Sequence, residues 1–189
     1  MGNFFTDVIE KDSRFLSKKL VSDPKLLEPN TRAAVEAIIA DADAKGIKLM
    51  IYETYRSRER QLELFKKGAS KLKKVGVHHY GLACDIVKKV NGKPSWKGDF
   101  SFLRDLAKAH GLIWGGDWGT PNVKHSFQDD DHVQRCGVPD QEKLFSGDWY
   151  PGDNYDPYKA TAAAAKPKAA KPAKKKPAAK KAKSAATGN

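Results

Sequence analysis

The residues best equipped for chemistry lie in the stretch Val77-His78-His79-Tyr80-Gly81-Leu82-Ala83-Cys84-Asp85. His78 offers an imidazole nitrogen. Gly81 lets the chain turn or pass close to another strand, and Leu82 to Val87 reads as a buried strand from which Asp85 projects. A second cluster, Asp129-Asp130-Asp131-His132, supplies a third ligand and a free carboxylate. Two histidines, one carboxylate and an open position make a catalytic zinc site rather than a structural one. His132 opens an alternating run to Cys136, so neighbouring strands would aim His132 and Asp85 at one ion. Taken singly, each residue also has an ordinary reading: a surface histidine, a satisfied buried carboxylate, three adjacent acids in a solvated loop.

Such a site needs elements to hold it. Apolar Phe5, Val8, Ile9, Phe15, Leu16 and Leu20 recur at roughly helical spacing and predict a helix over residues 4–20. Asn30 is placed to cap a second helix over about 31–45, with Ala34, Val35, Ile38, Ile39 and Ala42 as its stripe and Gly46 at its end. Residues 47–52 read as a strand that delivers Thr54-Tyr55-Arg56-Ser57. A short helix follows, capped by Ser57, with Leu62, Leu64 and Phe65 inward and Gly68 at its end. Residues 69–77 read as a basic loop. After the strand at 82–87 come a turn at Asn91-Gly92 and a helix over about 100–110, capped by Asp99, with Phe102, Leu103, Leu106 and Ala107 buried. Trp114 to Pro121, with three glycines and a proline, reads as a loop. Trp118 is the candidate for a wall of the substrate cleft, whereas Trp114 fits core and cleft equally. Helices mixed with a few strands, without regular alternation, predict an α+β fold with a small, mostly antiparallel sheet.

Tyr55-Arg56-Ser57, Gln61, His78-x-x-Gly81-x-Ala83-x-Asp85, Trp114-Gly115-Gly116-Asp117-Trp118 and Asp129-x-x-His132 together resemble the zinc peptidase family of bacterial D-alanyl-D-alanine dipeptidases and carboxypeptidases and phage L-alanyl-D-glutamate endolysins. The hedgehog signalling domain shares that fold. The resemblance covers about residues 25–137, and the Trp-Gly-Gly-Asp-Trp segment is most similar to the endolysin branch. It implies one zinc ion on His78, Asp85 and His132, Asp129 as general base, and Arg56 stabilising the oxyanion of the tetrahedral intermediate. The chemistry is consistent. Zinc lowers the pKa of its water towards about 7, a nearby carboxylate can take and return a proton, and a permanently charged guanidinium suits developing negative charge. Crowding among Asp129, Asp130 and Asp131 should raise one carboxyl. The ordinary reading of Arg56 is a salt bridge with Glu53 or Glu59. Gln61 either reaches the site or braces its loop. The chain departs from the family at Gly76, where serine is usual, and at His79, often asparagine, which adds a donor of its own.

The 189 residues carry a net charge of +12, and ten lysines with no acid lie in residues 159–189. That Lys/Ala/Pro segment holds no aromatic residue, so it is read as a disordered tail after a peptidase domain over 1–158. The tail would bind anionic envelope polymers or nucleic acid through charge alone, or serve only as a solubilising appendage. No apolar run reaches the roughly 18 residues of a membrane span, and no signal peptide is read at the start. A wall enzyme so built would be made in the cytoplasm and reach the wall by release or non-standard export. Cys84 and Cys136 fall on opposite strand faces and are expected to be reduced thiols. The function implied is a monomeric, zinc-dependent peptidoglycan peptidase, cleaving L-alanyl-D-glutamate in preference to D-alanyl-D-alanine bonds. The alternative is a non-catalytic zinc-containing module that binds cell wall or polyanions.

Overall fold

The computed structural model describes residues 3–73, 76–118 and 128–152. The predicted tail, His125 and the end of the glycine-rich segment lie outside the described residues.

Helix α1 runs Pro29–Ala44. Proline at the first helical position gives up an amide that would have no partner there. The Glu28 carboxylate, not Asn30, accepts from the amides of Asn30 and Thr31, at 3.1 and 2.8 Å. Glu28 wins because its longer side chain reaches both amides while Arg135 Nη1 donates to its Oε2 at 2.9 Å. Val35, Ile38 and Ala42 of α1 are buried against Leu103, Leu106 and Ala107 of α3 (Phe102–Ala109). Each large side chain in that seam contributes roughly 1.5–3 kcal/mol.

The sheet contains β1 (Leu49–Glu53), β2 (Ala83–Val90), β3 (Lys93–Ser95), β4 (Ile113–Trp114) and β5 (His132–Gln134). The strand order is β1-β2-β5-β4, with β3 also on β2, and every pairing is antiparallel. Asn91 and Gly92, both at positive φ, make the two-residue turn between β2 and β3. The fold is therefore α+β with a small antiparallel sheet. Alternation along β2 sends Cys84 and Ile86 into the core beneath α1 and α3 and Asp85 to the other face.

Several expectations are corrected. Residues 4–20 form one short π-helical turn, Phe5–Ile9, and then irregular turns. The buried residues there are Ile9 and Phe15, which would stand about 120° apart on a regular helix. The Asp12 carboxylate also accepts from the Arg14 amide at 2.8 Å, a local turn that competes with helix. In α2 (Arg58–Lys66), capped by Ser57 Oγ on the Arg60 amide, the buried residue is Gln61. Phe65 is 37% exposed and Leu62 and Leu64 are half-buried. Trp114 lies in β4 rather than in a loop, and Gly115–Asp117 form a 3-10 turn. A further helix, α4 (Gln141–Ser146), buries Leu144 beside Cys136 and Tyr80.

Candidate metal centre

Asp85 stands at the middle of the sheet. Across β2–β5 its partner is His132, and across β1–β2 its partner is Glu53. The second pairing exists because β1 slips register between Ile51 and Glu53. Such a bulge re-aims a side chain, here setting Glu53 beside Asp85. His78 comes from the 3-10 turn Val77–Tyr80, which Gly81 ends at φ +68°. A Cβ on Gly81 would lie 2.7 Å from Leu26 O and 2.9 Å from the Glu28 amide. The left-handed turn and the close approach thus both require glycine.

These elements bring three donor atoms together. Asp85 Oδ1 lies 3.2 Å from His78 Nε2 and 3.0 Å from His132 Nδ1, and the two imidazole nitrogens are 3.3 Å apart. Ligand atoms around tetrahedral zinc, at 2.0–2.1 Å from the ion, are about 3.3 Å from one another. The trio therefore has the spacing of a zinc site. Its chemistry fits too: His78 Nδ1 donates to Thr54 O at 2.9 Å, leaving the Nε2 lone pair turned to the shared point. Among the described residues, these three form the one cluster of histidine, cysteine and acid with that convergence.

The surrounding charge is organised around Asp85. Arg56 Nη2 donates to Asp85 Oδ2 and to Glu53 Oε2, each at 2.7 Å, and its Nε donates to Glu53 Oε2 at 3.0 Å. Arg60 Nε donates to Glu53 Oε1 at 3.0 Å. The salt bridge of Arg56 with Glu53 is thus present, and Arg56 also lines the cavity above the trio. Burial opposes the Asp85 charge, yet the His78 ring, the Arg56 guanidinium and the histidine hydrogen bonds hold its carboxyl well below the usual range. Burial, then Arg56, depresses His78, keeping it neutral. Burial also works against a charge on His132, but its bond to Asp85 raises it.

The cavity is about 310 Å³ and is lined by Arg56, Gln61, His78, Trp118, Asp129 and His132, among others. Trp118 stands edge-on to His132, ring centroids 5.0 Å apart. Trp114 is core: it is buried, and its indole donates to Asp130 O at 2.7 Å. Burial first, then the charges of Asp85 and Asp131 against the pull of His132, pushes the Asp129 carboxyl up to about 7. Gly115 lets this segment approach, since a Cβ there would sit 2.3 Å from Asp129 O. Asp131 accepts from Trp96 Nε1 at 2.7 Å and hydrogen-bonds the Asp129 carboxyl.

Gln61 braces the basic loop, donating to Ser70 Oγ and Leu72 O at 2.7 and 2.5 Å, and lies 3.5 Å from Arg56 Nη1. The space a serine side chain would enter at Gly76 faces Gln61 Oε1, 3.2 Å from an added Cβ. His79 accepts from the Gly76 amide at 3.3 Å, and burial drives it down to about 3. Its role is inside the turn, not in the cavity. Cys84 and Cys136 are free and buried in separate apolar clusters. Sequence reasoning missed Glu53 as a structural centre and Gln134, whose Oε1 lies 2.9 Å from His132 Nε2. The period-2 rule, applied one step past His132, points to Gln134. No sequence signal marks the bulge that places Glu53.

Residues 24–115 match the family model VanY, D-alanyl-D-alanine carboxypeptidase. The chain is 33% identical over 114 residues to the peptidoglycan L-alanyl-D-glutamate endopeptidase CwlK of Bacillus subtilis (strain 168), covering 50% of this chain and 68% of that one. It is 29% identical over 161 residues to the L-alanyl-D-glutamate peptidase of Listeria phage A118, covering 82% of this chain and 50% of the phage protein. Among solved structures, the Serratia marcescens L-Ala D-Glu endopeptidase ChiX aligns with TM-score 0.46 and 22% identity over 62% of this chain and 90% of that one. Identity at the level of the Bacillus enzyme, over more than two thirds of its length, is family membership: the chain belongs to the VanY family of metallopeptidases.

Proposed function

We propose that the chain is a zinc-dependent peptidoglycan peptidase that hydrolyses a stem-peptide bond, L-alanyl-D-glutamate in preference to D-alanyl-D-alanine. The observation that carries this reading is the convergence of His78, Asp85 and His132 beside a cavity lined by both histidines and by Asp129, a carboxyl raised to about 7. The bond preference rests on the two relatives above, both named for L-alanyl-D-glutamate cleavage.

His78, Asp85 and His132 would hold the zinc, which when bound supplies Lewis acidity to water and to the peptide carbonyl. Asp129 takes the proton from the attacking water and returns it to the leaving amine. A carboxyl poised near 7 exchanges protons in both directions at neutral pH. Arg56, held by Glu53 and Asp85, presents a fixed positive charge towards the oxyanion. Trp118 walls the cavity beside His132 and limits where the peptide lies. No described helix is long and apolar enough to cross a membrane, and the substrate lies in the cell wall. The lysine-rich segment after residue 158 is proposed to retain the enzyme on anionic envelope polymers.

The test is digestion of defined muropeptides with zinc present, read by mass spectrometry, comparing the wild type, Asp129→Ala and a chain ended at Asp156. Fragments split between L-alanine and D-glutamate, lost in Asp129→Ala, are expected. Release of D-alanine alone would reverse the bond preference, and no cleavage by the wild type would sink the reading. Loss of cleavage only in the shortened chain would favour a binding module.

A further inference from the structure

We infer that Gln134 is a positioning residue that fixes the tautomer and tilt of His132 for the metal, an inference that rests on the zinc reading above. Gln134 lies two residues after His132 on β5, on the same face, and is 1% exposed. Its side-chain amide nitrogen donates to the main-chain carbonyl of Cys136. That carbonyl accepts and cannot donate, so the amide is held in one orientation. The opposite end, Oε1, then faces His132 Nε2 at 2.9 Å.

An amide oxygen also only accepts. His132 Nε2 therefore carries the hydrogen, and the Nδ1 lone pair points at Asp85 Oδ1 and His78 Nε2. Thr54 O imposes the opposite tautomer on His78. The two rings are thus set as mirror choices, Nδ1–H in one and Nε2–H in the other, and both lone pairs meet at one point. Among the described residues, Gln134 Oε1 is the acceptor that faces His132 Nε2, and without it the ring could turn its hydrogen inwards. A neutral amide does this without adding a further negative charge to Glu53, Asp85 and Asp129.

Two variants separate the acceptor from the shape: Gln134→Leu removes it, and Gln134→Glu, its buried carboxyl protonated and donating to Cys136 O, keeps it. Zinc affinity is measured by competition with a chromogenic chelator, and site geometry by the visible absorption of the cobalt(II)-loaded protein. Circular dichroism of the metal-free proteins reports the fold. Gln134→Leu should bind zinc about 10–100-fold more weakly with an altered cobalt spectrum, and Gln134→Glu should stay within a few-fold of the wild type. Equal losses in both variants, or wild-type affinity in Gln134→Leu, would overturn the inference. Should Gln134→Leu not fold, nitrogen-15 spectra of the zinc-loaded wild type decide directly. A hydrogen on His132 Nε2 supports the inference and one on Nδ1 refutes it. A wild type that binds no zinc removes the reading on which it rests, whereas zinc binding without peptide cleavage leaves it standing.

Discussion

Replacing Asp129 by asparagine should make the metal-free protein more stable at alkaline pH while destroying its activity. Burial, with Asp85 and Asp131 nearby, raises the Asp129 carboxyl from 3.8 to about 7. The folded chain therefore keeps a proton that the unfolded chain has lost, between about pH 4 and pH 7. Stability must fall as pH rises through that window, because the folded state is the one forced to ionise against its surroundings. A tenfold change in proton affinity is worth about 1.4 kcal/mol, so the full cost above pH 7 is at most about 4 kcal/mol. Water at the cavity mouth reduces this to roughly 1–3 kcal/mol for a half-buried group. Asparagine has nearly the same volume and carries no such cost. In thermal melts of zinc-stripped protein, Asp129→Asn should match the wild type only at or below about pH 4. At pH 8 it should melt higher, by about 2–4 °C for each kcal/mol. Cleavage should fall by about 10²–10⁴-fold, the usual worth of a general base. A stability difference that is the same at pH 5 and pH 8, or a less stable variant at pH 8, would refute the account of Asp129 as a carboxyl strained by burial.

The remaining predictions test the structure around it. Zinc at 100 times its dissociation constant should stabilise the protein by about 2.7 kcal/mol, and His78→Ala should abolish most of that gain in melts with and without chelator. Glu53→Ala leaves Arg56 and Arg60 without their shared buried partner and should cost about 3–5 kcal/mol in urea denaturation; an unchanged midpoint would show that the bulge does not matter. Gly81→Ala forces a Cβ to within 2.7–2.9 Å of main-chain atoms at positive φ and should cost at least about 2 kcal/mol, measured the same way. Burial raises both thiols, Cys136 to about 12, so an aromatic disulfide reagent should titrate neither in the native protein and both after unfolding.

The legible parts of this chain are those where local pattern and tertiary demand coincide. The α1 stripe, the Asn91-Gly92 turn and the Ser57 cap are short-range rules obeyed by their own residues. The N-terminal segment breaks the pattern because its apolar residues serve different neighbours. Phe4 stacks near Tyr80 and Tyr150, Phe5 near Phe15, and Ile9 enters a cluster built from residues far along the chain. Helical spacing in such a segment is coincidence, and a wrapping strap satisfies the same residues better. The α1 cap departs from expectation for a related reason. Its residue is chosen by distant Arg135, which no window of sequence around Glu28 contains.

At the site, the residues of the candidate metal trio are legible because coordination would restrict both residue type and spacing, whereas their supports are not. Histidine and aspartate at 78, 85 and 132 have few other reasons to occur in that pattern. Glu53 and Thr54 act through a register slip and a main-chain carbonyl, and neither leaves a mark in residue identity. On the proposed mechanism, the two readings of Arg56 need not compete. Its bonds to Glu53 and Asp85 fix the guanidinium, and only a fixed charge helps at the moment an oxyanion forms, since a mobile one would have to reorganise first. Arg56→Lys retains charge but loses the fork that spans both carboxylates. It should therefore lower kcat by more than about tenfold with KM nearly unchanged and zinc still bound. A selective rise in KM would instead mean that Arg56 holds the substrate before reaction rather than the charge that develops during it.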